Sequence, residues 1–341
     1  MLWDAKSVGL RPNLREHDSA PLPPLEEDYF RVLSLDGGGI RGLITARIIS
    51  EIEERTGKFS SELFDLIAGT STGGLLALAI AAPGSTGEPA ARAANLIRVF
   101  EQAEKNIFVR RGAASFGIMH ERYHSESFER YLHSYFGETM LSQAICDTLV
   151  TSYDLLARDV VIWSRFDARG NAMGDVPFWL AARSTTAAPT YFDPARIDGG
   201  LDGDRSFIDG VMAANNPAMC AYAHSVKVAP DRRPFIVSIG TGVSDHPTRR
   251  KSDLNWGAAH WAKEILHVLI EGSSEVVDWQ LREILGRGLY RRIQGHLDYA
   301  NEAIDDTSVR NLEALHVDAE NWVRIYDREI DCICEVLSLG R

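Results

Sequence analysis

Two short turns in this 341-residue chain bring together residue types that could do chemistry. In Gly69-Thr70-Ser71-Thr72-Gly73 a serine has a glycine two positions to either side. A tight strand-to-helix elbow needs that spacing, because the backbone crowds itself there and lifts the hydroxyl out to attack a carbonyl. Asp36-Gly37-Gly38-Gly39-Ile40-Arg41-Gly42 offers successive backbone N–H groups beside a helix start, where developing negative charge is stabilised. Ser71 as nucleophile, with Gly37, Gly38, Gly39, Arg41 and Gly42 as an anion cradle, describes acyl transfer. A serine that only capped its helix would need neither Gly69 nor Gly73. Gly37, Gly39 and Gly42 also fit the dinucleotide fingerprint, but that reading wants an acid closing the second strand, where this chain has Gly69-Thr70-Ser71.

A serine hydroxyl needs a base. A Ser–Asp–His triad would draw on His246, in the loop after an expected strand at 235–239. A Ser–Asp dyad would draw on Asp198, Asp202, Asp204 or Asp209, all within an expected loop at 198–210. Asp209 is favoured: it follows the apolar Phe207-Ile208 and leads to Asn215-Asn216-Pro217, a turn that can hold a carboxylate rigidly.

The elements that must position these groups follow from hydrophobic patterning. Strand 31–35, helix 43–54, strand 64–68 and helix 74–82 form a parallel βαβ pattern, with each glycine turn at a strand end. Further strands are expected at 149–153, 160–163 and 235–239, and helices at 90–105, at 181–186 and from 255 onward. The expected organisation is an N-terminal arm at 1–28, a catalytic unit at 29–245 and a helical region at 246–341. Thirty-six basic against 48 acidic residues give a net charge of −12, which offers no support for nucleic-acid binding. Four scattered cysteines suit a reducing cytoplasm rather than a disulfide framework. No stretch approaches the roughly 18 apolar residues of a membrane span, so any membrane contact should be peripheral. The 105–119 segment mixes Phe108 and Phe116 with Arg110 and Arg111 and is the candidate for contact with substrate or membrane.

With these motifs quoted, the chain resembles the patatin-like phospholipase family. The resemblance rests on Asp36–Gly42, Gly69–Gly73, Ala187–Phe192, and Asp209-Gly210-Val211 ahead of Ala214-Asn215-Asn216-Pro217, and spans about residues 30–243. Val211 stands where the family has a small residue. The resemblance implies a three-layer α/β/α fold with a mostly parallel sheet. It also implies hydrolysis of phospholipid acyl esters by a Ser71–Asp209 dyad, with no cofactor and no metal. Such an enzyme would sit in the cytoplasm and touch the inner membrane peripherally when active, as a possible homo-oligomer. Some bacterial patatins resemble anti-phage effectors switched on by a cyclic oligonucleotide, although no lysine motif for such an activator stands out here. A Ser–Asp–His α/β-hydrolase and a catalytically idle, ligand-gated binding protein on the same fold are the alternatives.

Overall fold

The computed structural model describes residues 22–24, 28–110, 121–171, 174–200, 203–243 and 258–339. The N-terminal half contains β1 (Phe30–Leu35), α1 (Gly42–Thr56), α2 (Ser60–Leu63), β2 (Leu66–Thr70), α3 (Thr72–Ala81), α4 (Ala93–Glu101), α5 (Ala103–Asn106) and α6 (Ser125–Phe136). Then come β3 (Asp147–Asp154), β4 (Asp159–Ser164), α7 (Arg165–Gly170), α8 (Phe178–Thr185), β5 (Ala195–Gly200), β6 (Gly203–Asp209), α9 (Val211–Ala214), α10 (Ala218–Val228) and β7 (Pro234–Ile239). The C-terminal part contributes α11 (Ala258–Leu289), β8 (Tyr290–Ile293), α12 (Val309–Ile325) and α13 (Asp327–Ser338).

These strands form one eight-stranded sheet. β1 lies between β2 and β7, parallel to both, and β8 continues the sheet parallel to β7. Alternate residues of the inner strands enter different cores. Leu33, Leu35, Ile67 and Val237 pack on the side that includes residues of α1, α3, α12 and α13; Val32, Leu66, Ala68 and Ile236 pack with Ala218 and Ala221 of α10 and Leu281 of α11. Burial on both faces is why β1 and β7 read as nearly continuous apolar runs rather than alternating ones. The result is the expected three-layer α/β/α arrangement. Among the described residues no helix is long and apolar enough to cross a membrane.

One feature of the sheet decides where the site lies. β2 pairs with β3 as far as Thr70, opposite Thr151. The other edge of β3 is taken along Leu149–Asp154 by the antiparallel β4. β6 therefore joins β3 on the edge that β2 vacates, running antiparallel with Asp209 opposite Ser152. Two strands thus converge head-on along β3, and their ends deliver Ser71 and Asp209 from adjacent register positions.

Two expectations fail here. The 198–210 segment is not a loop but the hairpin strands β5 and β6, antiparallel with a register shift between Ile197 and Gly200. The glycines and aspartates described there, turn formers by type, lie on paired strands instead. The tail from 255 is not wholly helical: α11 breaks at Gly286, whose φ is +68°, and β8 enters the sheet. Tyr290-Arg291-Arg292-Ile293 conceals a buried strand because both arginines are buried and ion-paired, Arg291 to Glu329 and Arg292 to Asp36. The expected strand 64–68 lies two residues later, since Asp65 accepts the Arg31 amide before pairing with β1 begins at Leu66. The expected arm lies mostly outside the described residues.

Gly210 is where β6 turns into α9 beside β3. A Cβ there would lie 2.2 Å from the Thr151 carbonyl oxygen. Gly210→Ala is expected to destabilise the protein by about 1–3 kcal/mol, read as a lower urea midpoint, because backbone rather than a flexible side chain must give way.

Candidate active site

Ser71 sits at the junction of β2 and α3 with φ 54° and ψ −122°, a strained backbone for a residue bearing a Cβ. Both flanking glycines are required by contact. A Cβ on Gly69 would lie 2.1 Å from the Gly73 carbonyl oxygen, and one on Gly73 would lie 2.2 Å from that of Leu35. The Ser71 amide donates to Thr185 Oγ1 at 2.9 Å, tying the elbow to the end of α8. Its side chain does not cap α3; the hydroxyl donates to Asp209 Oδ2 at 2.7 Å.

Asp209 is held from three directions. Its amide donates to the Ala187 carbonyl at 3.0 Å, its Oδ1 accepts the Val211 amide at 2.9 Å, and its Oδ2 takes the serine hydroxyl. The Val211 contribution is a backbone N–H, so the bulky side chain at this position does not unseat the carboxylate. Burial pushes the Asp209 carboxyl up to about 7, against the opposing pull of its hydrogen bonds from Ser71 and Val211. A carboxylate of that basicity can accept a hydroxyl proton near neutral pH. Of the other aspartates weighed from sequence, Asp198 lies on β5 and Asp204 on β6, while the Ser71 hydroxyl donates to Asp209; Asp202 and His246 fall outside the described residues.

The glycine-rich turn lies across from the hydroxyl. Here the expected cradle narrows. The Gly37 amide donates to the Asn215 carbonyl at 3.2 Å, the Ile40 amide to that of Ile304 at 2.9 Å, and the Gly42 amide to Gly39 and Ile40. An amide already donating to protein cannot also hold an oxyanion, so Gly37 and Gly42 shape the turn rather than serve as donors. Gly38 and Gly39 keep amides with no partner among the described residues. Gly39 has φ +59°, and a Cβ there would meet the Ile304 carbonyl oxygen at 2.1 Å. Arg41 braces the turn, donating from Nε to Gly38 O and from Nη1 to Gly242 O, each at 3.3 Å.

Asp36, at the head of this turn, forms a buried two-pronged ion pair with Arg292 of β8, at 2.9 and 2.5 Å. Arg292 also donates to Ser238 Oγ at 2.8 Å. Burial alone would lower the guanidinium pKa, and the Asp36 carboxylate more than reverses this, holding Arg292 above its ordinary range. Sequence reasoning missed Arg292, Ile304 and Thr185. The two tail residues lie more than 200 positions from the motifs they serve, and the only local signal was a pair of arginines set between Tyr290 and Ile293.

Ser71, Asp209 and the glycine turn open into a cavity of about 380 Å³. Leu75, Phe100, Phe108, Phe128 and Phe192 supply apolar wall, and Val268 and Ile270 of α11 also line it. Phe108 packs edge-on to Tyr123 with ring centroids 5.1 Å apart, so it faces inward as cavity lining instead of outward to a membrane. Arg110 is exposed and bridges to Tyr123 through the backbone; Arg111 and Phe116 lie outside the described residues.

A family model described as patatin-like phospholipase matches residues 33–222, from β1 into α10. The chain belongs to the patatin-like phospholipase family. Patatin group D-2 of Solanum tuberosum is 28% identical over 330 residues, spanning 87% of this chain and 84% of its own. Patatin-like protein 2 of Arabidopsis thaliana is 29% identical over 336 residues, spanning 86% and 82%. A solved structure, VipD from Legionella pneumophila, is a distant likeness: TM-score 0.39 and 12% identity over 88% of this chain and 67% of that one. Patatins are lipid acyl hydrolases, and an apolar cavity behind the serine suits that chemistry. A further relative at 27% identity, covering 86% of each chain, carries the name Probable inactive patatin-3-Kuras 1 from Solanum tuberosum.

Removing Arg292 would leave the Asp36 carboxylate buried and unpaired. Arg292→Met is expected to cost about 3–5 kcal/mol of stability in denaturant unfolding. The double variant Asp36→Asn/Arg292→Met should recover part of that loss, since it removes both charges.

Proposed function

We propose that this patatin-like protein is a phospholipase A-type lipid acyl hydrolase working through Ser71 and Asp209. Ser71 Oγ attacks the acyl carbonyl of a glycerophospholipid while Asp209 takes the hydroxyl proton. Charge developing on the carbonyl oxygen falls to the Gly38 and Gly39 amides. The proton on Asp209 then passes to the departing lysolipid alcohol, leaving an acyl-serine. Water, deprotonated by the same carboxylate, attacks the acyl carbon and releases the fatty acid and Ser71.

The observation that carries this reading is the 2.7 Å hydrogen bond from Ser71 Oγ straight to Asp209, with no histidine between them. The raised carboxyl supports it, because a base is most useful when its pKa lies near the working pH. The apolar walls support an acyl chain as the group bound, and the 380 Å³ volume suits one chain rather than a whole lipid.

A fluorophosphonate probe should label the parent, and Ser71→Ala should lose both labelling and fatty-acid release. Asp209→Asn should lower turnover by about 10²–10⁴-fold, whereas His246→Ala should keep most of it. A folded His246→Ala protein without activity would overturn the dyad.

The pH dependence has a definite sign. Asp209 must be ionised to act as base, so turnover should rise about tenfold per pH unit below about 7 and level off above it. Stability should run the other way. The folded carboxyl titrates near 7 instead of its ordinary 3.8, so its favourable contribution is full below about 4 and lost as pH rises through 7. Asp209→Asn should therefore raise the Tm at pH 8 relative to the parent, and do so less at pH 5. Equal effects at both pH values in thermal unfolding would show that the carboxyl is not held in its protonated form.

A further inference from the structure

Helix α11 carries an exposed apolar stripe that the core does not account for and that meets the active-site cavity at one of its apolar residues, Val268. Ile265, Val268, Leu269, Val276 and Trp279 fall at helical spacing on one face, with Gly272 between them. Four of them are more than half exposed, Trp279 at 63%. At 1.5 Å per residue the stripe runs about 21 Å. It begins at the cavity: Val268 lies both on the stripe and in the lining, beside Ile270, Glu271, Gly272, Ser274 and Glu275 of the same helix. Met212 of α9, also exposed, extends the apolar rim.

The carboxylate-rich stretch of this face is bounded in sequence by Lys263 and Arg282. From Ile265 to Leu281 the helix has Glu271, Glu275 and Asp278 and neither lysine nor arginine. Asp278 pairs with Arg282 at 2.8 Å, while Glu271, Glu275 and Glu302 stand exposed around the cavity. Such a face is repelled by an anionic lipid surface. It complements one whose outermost groups are cationic, which is the arrangement of choline and ethanolamine headgroups. A large exposed indole beside aliphatic residues suits the headgroup boundary, where an aromatic body is buried and its N–H stays wet. A second protein copy seated on the stripe would cover Val268 and close the cavity it shares.

We infer that the Ile265–Trp279 face of α11 docks the enzyme on a zwitterionic phospholipid bilayer and sets the cavity mouth against the headgroups. The inference rests on the lipid-hydrolase reading and assigns it a membrane surface. It replaces the arginine pair at 110–111 as the docking element, and it makes binding hydrophobic rather than electrostatic.

The test uses the full chain with phosphatidylcholine vesicles, some carrying brominated acyl chains that quench tryptophan. The parent should bind, with quenching that is reduced in Trp279→Phe while that variant's affinity is kept. Trp279→Glu and Leu269→Glu should each bind about tenfold or more weakly, since each withdraws one apolar side chain and adds a charge. Both should hydrolyse a short soluble ester at the parent's rate. Binding should change little with salt and should be weaker to phosphatidylglycerol vesicles. The proposal is overturned by glutamate variants that bind as the parent does, by preference for anionic vesicles, or by a dimer in sedimentation that these variants dissociate. A parent inactive on the soluble ester would instead strike the hydrolase reading and leave the vesicle result standing.

Discussion

The hydrogen bond between Ser71 and Asp209 joins a serine on a strained elbow to a buried carboxylate, and much of the molecule holds that arrangement in place. A carboxylate in water, with a pKa near 4, is a poor base for a serine hydroxyl. Enclosure raises the Asp209 carboxyl to about 7, the range in which a base would act near neutral pH. Enclosure also penalises the ionised form, so the carboxylate must be held by partners that leave it reactive. The Val211 amide and the serine hydroxyl do this, and no cation among the described residues forms an ion pair with it.

β3 fixes the distance between the two groups. Because β2 and β6 share one edge of β3 and end at adjacent residues of it, the separation of serine and carboxylate is set by strand register rather than by loops. Strand register is stiff: slipping by one residue would turn each buried side chain to the opposite face. The strain at Ser71 is confined to one residue, and the close approaches at Gly69, Gly73 and Gly210 lock that residue between neighbouring backbones.

The glycine turn is fixed from outside. Its head is tied by Asp36 to Arg292, its middle by Ile40 to the Ile304 carbonyl, and its start by Gly37 to Asn215. Two of these three anchors come from the C-terminal region. A turn of three successive glycines has little side-chain packing of its own, so its shape is imposed by neighbours. That the Gly38 and Gly39 amides have no partner among the described residues is therefore a product of the whole fold.

By itself the sequence determined the groups with local causes. Glycines two positions either side of Ser71 demanded an elbow, and apolar runs before each turn demanded strands covered on both faces. The order of these motifs identified the family, and Phe207-Ile208 ahead of Asp209 singled out that aspartate. What the tertiary structure decided was everything set by contacts distant in the chain. The 198–210 segment looked like a loop because its glycines and aspartates favour turns; pairing of β5 with β6, and of the end of β6 with β3, overrides that preference. β8 looked helical or charged because the buried partners of Arg291 and Arg292 cannot be read locally. Which amides of the glycine turn stay free depends on the carbonyls of Asn215 and Ile304, and the basicity of Asp209 depends on how completely other segments exclude water. Spacing records local backbone demands; desolvation and long-range pairing exist only once the chain has closed around the site.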